Sequence, residues 1–150
     1  MSTDFQFEDD RMWYWAKGMA RHVSKLSKDP STKVGAVIFD NKRRLISAGY
    51  NGFARGVQDS STRLRDRDTK LKMTLHAEKN AIAFATAPLD GATLFCTHPC
   101  CTQCAAMIIQ VGIKHVCWPR PDAAFVKRWA DDMALSKEMF AEAGVHVHVR

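Results

Sequence analysis

No stretch of this 150-residue sequence comes near the ~20 consecutive apolar residues that a helix needs to cross a bilayer. Its first ten residues, Met1-Ser-Thr-Asp-Phe-Gln-Phe-Glu-Asp-Asp10, have neither the basic start nor the apolar run of a secretory signal. A cytoplasmic protein with no membrane partner is the expectation. Pro (5) and Gly (8) are few and form no tract, which excludes linker-like and low-complexity architectures. Cysteine is also scarce and poorly distributed for a disulfide scaffold: there are five, an odd number, all between positions 96 and 117. They read as reduced thiols, some of them available to a metal. A chain of this length supports one hydrophobic core, so residues 1–150 are expected to form a single domain with one site.

Acidic residues are outnumbered, 16 against 22 Lys and Arg, for a formal charge of +6. That balance favours an anionic partner without choosing among nucleic acid, a membrane surface and a small phosphorylated molecule. The densest charge runs from Arg55 to Lys72, where Arg55, Arg63, Arg65, Arg67, Lys70 and Lys72 alternate with Asp59, Asp66 and Asp68. A nucleic-acid stripe is normally less diluted by acid, so a solvated mixed-charge loop is the better reading.

From Glu8 to Lys28 the apolar positions Met12, Trp15, Met19, Val23 and Leu26 recur every three or four residues, which predicts a helix stopped by Asp29-Pro30. Residues 34–39 and 45–50 read as a β-hairpin around a polar turn. The pattern then fails for about two dozen residues, a loop of the length that is usually functional or partly disordered. Helices follow over 76–85, 101–111 and 123–143, and strands over 92–97, 114–118 and 145–149. Strands alternating with helices imply crossover units and a mostly parallel sheet between helices, with the hairpin as an antiparallel edge.

Two short motifs carry the chemistry. His76-Ala77-Glu78 and Cys101-Thr102-Gln103-Cys104 each open a predicted helix after a loop. Residues two apart on a helix point to nearly opposite sides, so His76 and Glu78 converge only if His76 sits at the helix start. Cys101 and Cys104 share a face, and two helix N-termini aimed at one point favour thiolate over thiol. One His and two Cys supply three ligands for tetrahedral Zn2+ and leave the fourth position to water, which distinguishes a catalytic from a structural site. Two thiolates neutralise most of the metal's charge, so the water is acidified less than in a three-His site. A base is needed beside it, and Glu78 is placed to be one. Such a set supports attack of an activated water on an amidine-like ring carbon, with Glu78 moving the proton to the ring nitrogen and then to departing ammonia. H-x-E followed by P-C-x-x-C is a recognised signature of zinc deaminases of nucleobases. Here the second half is irregular: in His98-Pro-Cys-Cys-Thr-Gln-Cys104 the proline comes one place early, and Cys100 fills its usual position. Cys101 has the right spacing to Cys104, which leaves Cys100 as a buried neighbour, with a ligand swap the alternative.

With these residues in view, the chain resembles the deoxycytidylate deaminases of the zinc-dependent cytidine/deoxycytidylate deaminase family. The similarity lies in residues 28–38, 49–56, 76–82 and 108–114. It implies a three-layer α/β/α cytidine deaminase-like fold with a five-stranded mixed sheet, and hydrolytic deamination of dCMP to dUMP and ammonia, supplying dUMP for thymidylate synthesis. One catalytic Zn2+ per chain would be held by His76, Cys101 and Cys104, with Glu78 as acid and base. Asn51 would reach the deoxyribose and the Ala77 backbone the base, while Ser31, Thr32, Lys33 and Arg120 would contact the phosphate. Members are commonly hexamers activated by dCTP and inhibited by dTTP. That implies a homohexamer with an effector site around Tyr50, Asn51, Gly52, Phe53 and Arg55, and Mg2+ accompanying a bound triphosphate. Ala54 replaces the family's customary proline in that loop, and residues 53–75 contain no Cys or His for the additional zinc of some viral relatives.

Two rival readings share part of this evidence. An editing enzyme for tRNA or single-stranded DNA would need aromatic stacking platforms that the charged loop lacks, so nucleic acid is not the expected partner. A purely structural zinc module would have no use for Glu78. Elsewhere, His146 and His148 on the last strand read as exposed, Trp13 and Trp15 as packing residues, and Trp118 as either core or substrate contact.

Overall fold

A computed structural model describes residue 7 and residues 9–150, so the helix start predicted at Glu8 lies outside the described residues. The first helix, α1, runs over Asp10–Ser24, with the Asp9 side chain accepting the Arg11 N–H as its cap. It is followed by the hairpin β1 (Gly35–Phe39) and β2 (Leu45–Tyr50). Then come β3 (Gly52–Phe53), α2 (Ser61–Arg65), α3 (Arg67–Met73), β4 (Thr74–Leu75) and α4 (Ala77–Ala83). The chain ends with β5 (Thr93–Cys96), α5 (Thr102–Gln110), β6 (His115–Trp118), α6 (Ala123–Glu142) and β7 (His146–Val149).

The main sheet is five-stranded and mixed, in the order β2-β1-β5-β6-β7. β1 is antiparallel to both β2 and β5, while β5, β6 and β7 are mutually parallel. The antiparallel part therefore reaches one strand further in than the sequence predicts. The crossover from β2 through α4 to β5 exists, but its two parallel strands flank β1 instead of touching.

Alternation along the strands sorts the core into two layers. Ala36, Ile38, Leu94, Cys96, Val116 and Trp118 face α4, α5 and α6, whereas Val37, Phe39, Phe95 and Cys117 face α1. The helix layer on the first face carries both chemical motifs. Its seating depends on Gly49: a Cβ there would lie 2.5 Å from the Ala81 nitrogen and 2.6 Å from the Ala77 oxygen, so α4 rests directly on the β2 backbone. On the second face, α1 buries Trp13, Ala16 and Ala20, with Met12, Met19 and Val23 partly covered. Trp15 and Leu26, read as apolar-face residues, are 47% and 64% exposed. The helix approaches β1 through its alanines, which leaves Leu26 outside the buried stripe and Trp15 at its edge, with its ring packed on Phe39 at a centroid distance of 5.2 Å.

Residues 51–75, expected as a loop, are folded. α2 and α3 are five and seven residues long and are capped by the side chains of Ser60 and Asp66, and β3 pairs with β4 in a two-stranded ribbon that delivers the chain to His76. Lys70 is buried and makes a 3.0 Å ion pair with Asp29, whose carboxylate also accepts the N–H groups of Ser31 and Thr32. Burial pushes the Asp29 carboxyl up, but these hydrogen bonds and the ammonium outweigh it and hold its pKa below the usual value.

His148 is also not the exposed residue expected. It is half-buried, its Nε2 lies 3.1 Å from His115 Nδ1, and the His146 ring stacks on His115. Burial and the neighbouring His115, His146 and Arg150 depress the His148 pKa to about 4.

Two tests follow from the packing and the histidines. Gly49→Ala should destabilise the fold by about 1–3 kcal/mol through overpacking, whereas Gly18→Ala, in open space inside α1, should stabilise it by up to ~1 kcal/mol. Urea unfolding measures both. In the unfolded chain His148 protonates near its ordinary pKa of about 6.5, so between that pH and its depressed native value the unfolded state binds more protons. Stability should fall as pH drops through this window, and the loss between pH 7 and pH 5 should be smaller in His148→Gln.

Candidate functional site

The N-termini of α4 and α5 meet beneath a cavity, and each begins on a metal-type ligand. His76 is the N-cap of α4, in extended conformation and with no side-chain capping bond, so its ring is left to point across to α5. Cys101 is the N-cap of α5, and its sulfur accepts the Cys104 N–H at 3.4 Å. His76 Nδ1 lies 3.4 Å from Cys101 Sγ and 3.3 Å from Cys104 Sγ. All three donor atoms fall within 4.8 Å of one another. Zinc bonds of about 2.0–2.1 Å to nitrogen and about 2.3 Å to sulfur at a tetrahedral angle put N and S roughly 3.5 Å apart. The cradle therefore has the right size and donor chemistry for Zn2+.

The two cysteines are driven in opposite directions. The Cys104 thiol, together with the His76 ring and the Cys104 N–H, hydrogen-bonds Cys101 and brings its pKa down to about 4. Cys104, as the donor in that bond and more deeply buried, is pushed up. The Cys101 sulfur is thus the one favoured as thiolate, and a metal would replace the proton held by Cys104. His76 is raised, mainly by its bond to Cys101.

Cys100 stands apart from this set. It is buried to 1% exposure, shares a thiol hydrogen bond with Cys96, and has its pKa raised by that bond and by burial. Burial of that kind makes an inert thiol.

Glu78, in the first turn of α4, is 3% exposed. Burial raises its pKa, against the pull of hydrogen bonding and of His76. It lines a cavity of roughly 240 Å3 together with His76, Ala77 and Cys101.

Of the other predicted site residues, Ser31, Thr32 and Asn51 border the same cavity, whereas Lys33 and Arg120 do not. Both are exposed, and the Arg120 backbone N–H is bound to the Arg150 carbonyl. Asn51 is 6% exposed, and its amide fastens two strand-entry segments: Oδ1 accepts the Val34 N–H and Nδ2 donates to the Thr32 carbonyl. One amide hydrogen and one lone pair are left over.

Tyr50, Asn51, Gly52 and Phe53 border a second cavity of roughly 140 Å3, edged by the Lys28–Asp59 ion pair. Arg55 is not part of it; its guanidinium lies over the Phe84 ring. Trp118 belongs to the core at 1% exposure, and its Nε1 has no hydrogen-bond partner among the described residues.

Sequence reasoning missed the far wall of the main cavity. α3 contributes Arg67 and Lys70, the turn after β5 contributes His98, and α6 contributes Phe125, Arg128, Trp129, Asp132 and Met133. His98, Phe125 and Trp129 form a ladder of rings with centroids 6.0 and 6.3 Å apart. Asp132 accepts both the N–H and the hydroxyl of Thr102, capping α5 from another helix. Thr102 and Asp132 are 30 residues apart, a separation that hides the pairing in the sequence. Only the helical period of 125, 128, 129, 132 and 133 marks them as one face.

Residues 10–119 match the family model described as the cytidine and deoxycytidylate deaminase zinc-binding region. A protein of Aliivibrio fischeri named "Uncharacterized deaminase in luxG 3'region" is 46% identical over 136 residues, 89% of this chain and 91% of its own length. Deoxycytidylate deaminase of Mus musculus is 38% identical over 96 residues, 60% of this chain and 54% of its own. The chain spans about half the length of the curated deoxycytidylate deaminases it matches. The solved dCMP deaminase from the cyanophage S-TIM5, in complex with dCMP and dUMP, is similar with a TM-score of 0.77 at 26% identity, over 95% of this chain and 98% of that one.

The geometry separates the two adjacent cysteines experimentally. Cys101→Ser should weaken zinc by more than the ~100-fold that losing a mere hydrogen-bonding neighbour of a ligand costs, while Cys100→Ser should retain one zinc per chain in elemental analysis and chelator competition. With the matched span enclosing His76, Glu78, Cys101 and Cys104, the chain belongs to the cytidine and deoxycytidylate deaminase family.

Proposed function

We propose that residues 1–150 act as one zinc-dependent deoxycytidylate deaminase domain, converting dCMP and water to dUMP and ammonia and so supplying dUMP for thymidylate synthesis. The observation that carries this reading is a buried carboxyl, Glu78, beside a three-donor set that opens on a cavity large enough for a pyrimidine. A closed structural site needs no such carboxyl and no such opening.

Zinc, when bound by His76, Cys101 and Cys104, supplies a Lewis acid that lowers the pKa of a water. The rest falls to the chain's own side chains. Glu78 accepts the proton of the attacking water and passes it to the ring nitrogen next to the amino-bearing carbon. It then takes the remaining proton of that oxygen and delivers it to the leaving nitrogen, which departs as ammonia while the ring carbon keeps the oxygen as a carbonyl. Burial of Glu78 suits both halves of that duty, because a raised pKa lets one carboxyl hold and release a proton near neutral pH. Ala77 and Asn51 border the space where base and sugar would lie, and Asn51 has a donor and an acceptor to offer. Ser31 and Thr32, with Arg67 and Arg128 bordering the same cavity, favour a substrate bearing a phosphate.

The finer parts of the reading have separate support. A second cavity bordered by Tyr50, Asn51, Gly52 and Phe53 shares Asn51 with the first, which suits nucleotide regulation by dCTP and dTTP, with Mg2+ on the triphosphate. Exposed Phe84, Leu75 and Met107 suit burial between subunits of a homohexamer. Thiolate ligands suit a reducing cytoplasm.

Ammonia release from dCMP, dCTP, deoxycytidine and a cytosine-containing oligonucleotide tests the substrate class. The expected result is turnover of dCMP, stimulated by dCTP and reduced by dTTP. Release from the oligonucleotide alone would replace this reading with nucleic-acid editing. Glu78→Gln should keep its zinc and lose about 10²–10⁴-fold in kcat, the usual worth of a general acid and base.

A further inference from the structure

The cavity-facing residues of α6 are Phe125, Arg128, Trp129, Asp132 and Met133, one stripe of a regular helix. Further along, the same helix buries Ser136 and Phe140 in the core. The first half of α6 is therefore a wall of the cavity, and its second half anchors that wall to the sheet. Asp132 adds a second anchor by capping α5 through Thr102, next to Cys101. α6 itself lies outside the family match, which ends at residue 119, four residues before α6 begins at Ala123. The donor set and Glu78 lie within that match and α6 lies outside it, although the solved cyanophage dCMP deaminase is similar over 95% of this chain.

Of the three Lys and Arg side chains that border the cavity, two, Arg67 and Arg128, make no ion pair among the described residues. Lys70 is neutralised by Asp29. Asp132 has both carboxylate oxygens on Thr102, and no ion pair among the described residues involves Arg128. Arg67 comes from the seven-residue α3, whereas Arg128 stands on the 20-residue α6 beside Trp129 and one turn from Phe125, with Asp132 one turn further along. A guanidinium at the edge of a cavity, beside aromatic surface and in no ion pair, is suited to bidentate recognition of a phosphate monoester.

We propose that the α6 stripe is the specificity wall of the site and that Arg128 recognises the 5′-phosphate of the substrate. The assignment rests on the nucleotide reading given above, and it makes the choice between nucleotide and nucleoside a property of α6.

The test compares binding of dUMP and deoxyuridine to the zinc-loaded protein by calorimetry, alongside steady-state kinetics on dCMP. Arg128→Gln should weaken dUMP by roughly 10- to 100-fold, the worth of a charge-assisted hydrogen bond. It should raise KM for dCMP in step, leave kcat within about twofold, and leave deoxyuridine binding unchanged. Lys127→Gln removes the same charge from the adjacent position outside the cavity lining, and should leave dUMP binding unchanged. The assignment is overturned if Arg128→Gln binds dUMP like the unaltered protein, if it loses dUMP and deoxyuridine equally, or if Lys127→Gln reproduces its effect. An unaltered protein that neither binds dUMP nor turns over dCMP overturns the substrate reading itself. Normal dCMP turnover with an indifferent Arg128→Gln overturns Arg128 alone.

Discussion

Three donor atoms drawn from two helices can meet only if both helices start at the same place, and that requirement organises the rest of the fold. α4 is pressed onto β2 at Gly49, where there is no room for a side chain, and this sets the depth at which His76 and Glu78 enter. α5 begins at Cys101 and is capped from outside by Asp132, which fixes the other side. Each of the two helices has a donor of this set as its N-cap, so the extended backbone of the cap turns the side chain off the helix axis and toward the neighbouring helix. Glu78, two residues on from the cap, then shares the space with His76 although a regular helix would separate them.

Much of this was legible in the chain itself, for reasons of distance and period. His76 and Glu78 are two apart and Cys101 and Cys104 three apart, so local geometry alone relates them. The main-sheet strands and the longer helices are runs whose period of two or near four survives in a single segment. The position of Cys101 against Cys100 was also readable, since only one of the two keeps the three-residue interval to Cys104.

What escaped the sequence depends on partners far along the chain or on features without a period. α2 and α3 are too short to show an apolar stripe, and are defined by the caps Ser60 and Asp66 inside a run that looks merely charged. Lys70 counted as one of six basic residues in a solvated loop, yet it is buried against Asp29, 41 positions away. Lys33 and Arg120 looked suitable for a phosphate by residue type, but strand and backbone geometry carry them away from the cavity, and α6 brings Arg128 there instead. The sheet is less parallel than alternation implies, because a crossover can skip a strand without changing the order of elements in sequence.

The central claim is that His76, Cys101 and Cys104 hold one zinc with its fourth position open to solvent and to Glu78. X-ray absorption at the zinc edge of purified, active protein tests it most directly. The account predicts two sulfur ligands at about 2.3 Å with two nitrogen or oxygen neighbours at about 2.0–2.1 Å, one of them exchangeable for a bound inhibitor. A shell of three sulfurs and one nitrogen, unaltered by inhibitor, would mean that Cys100 closes the site, and would contradict it.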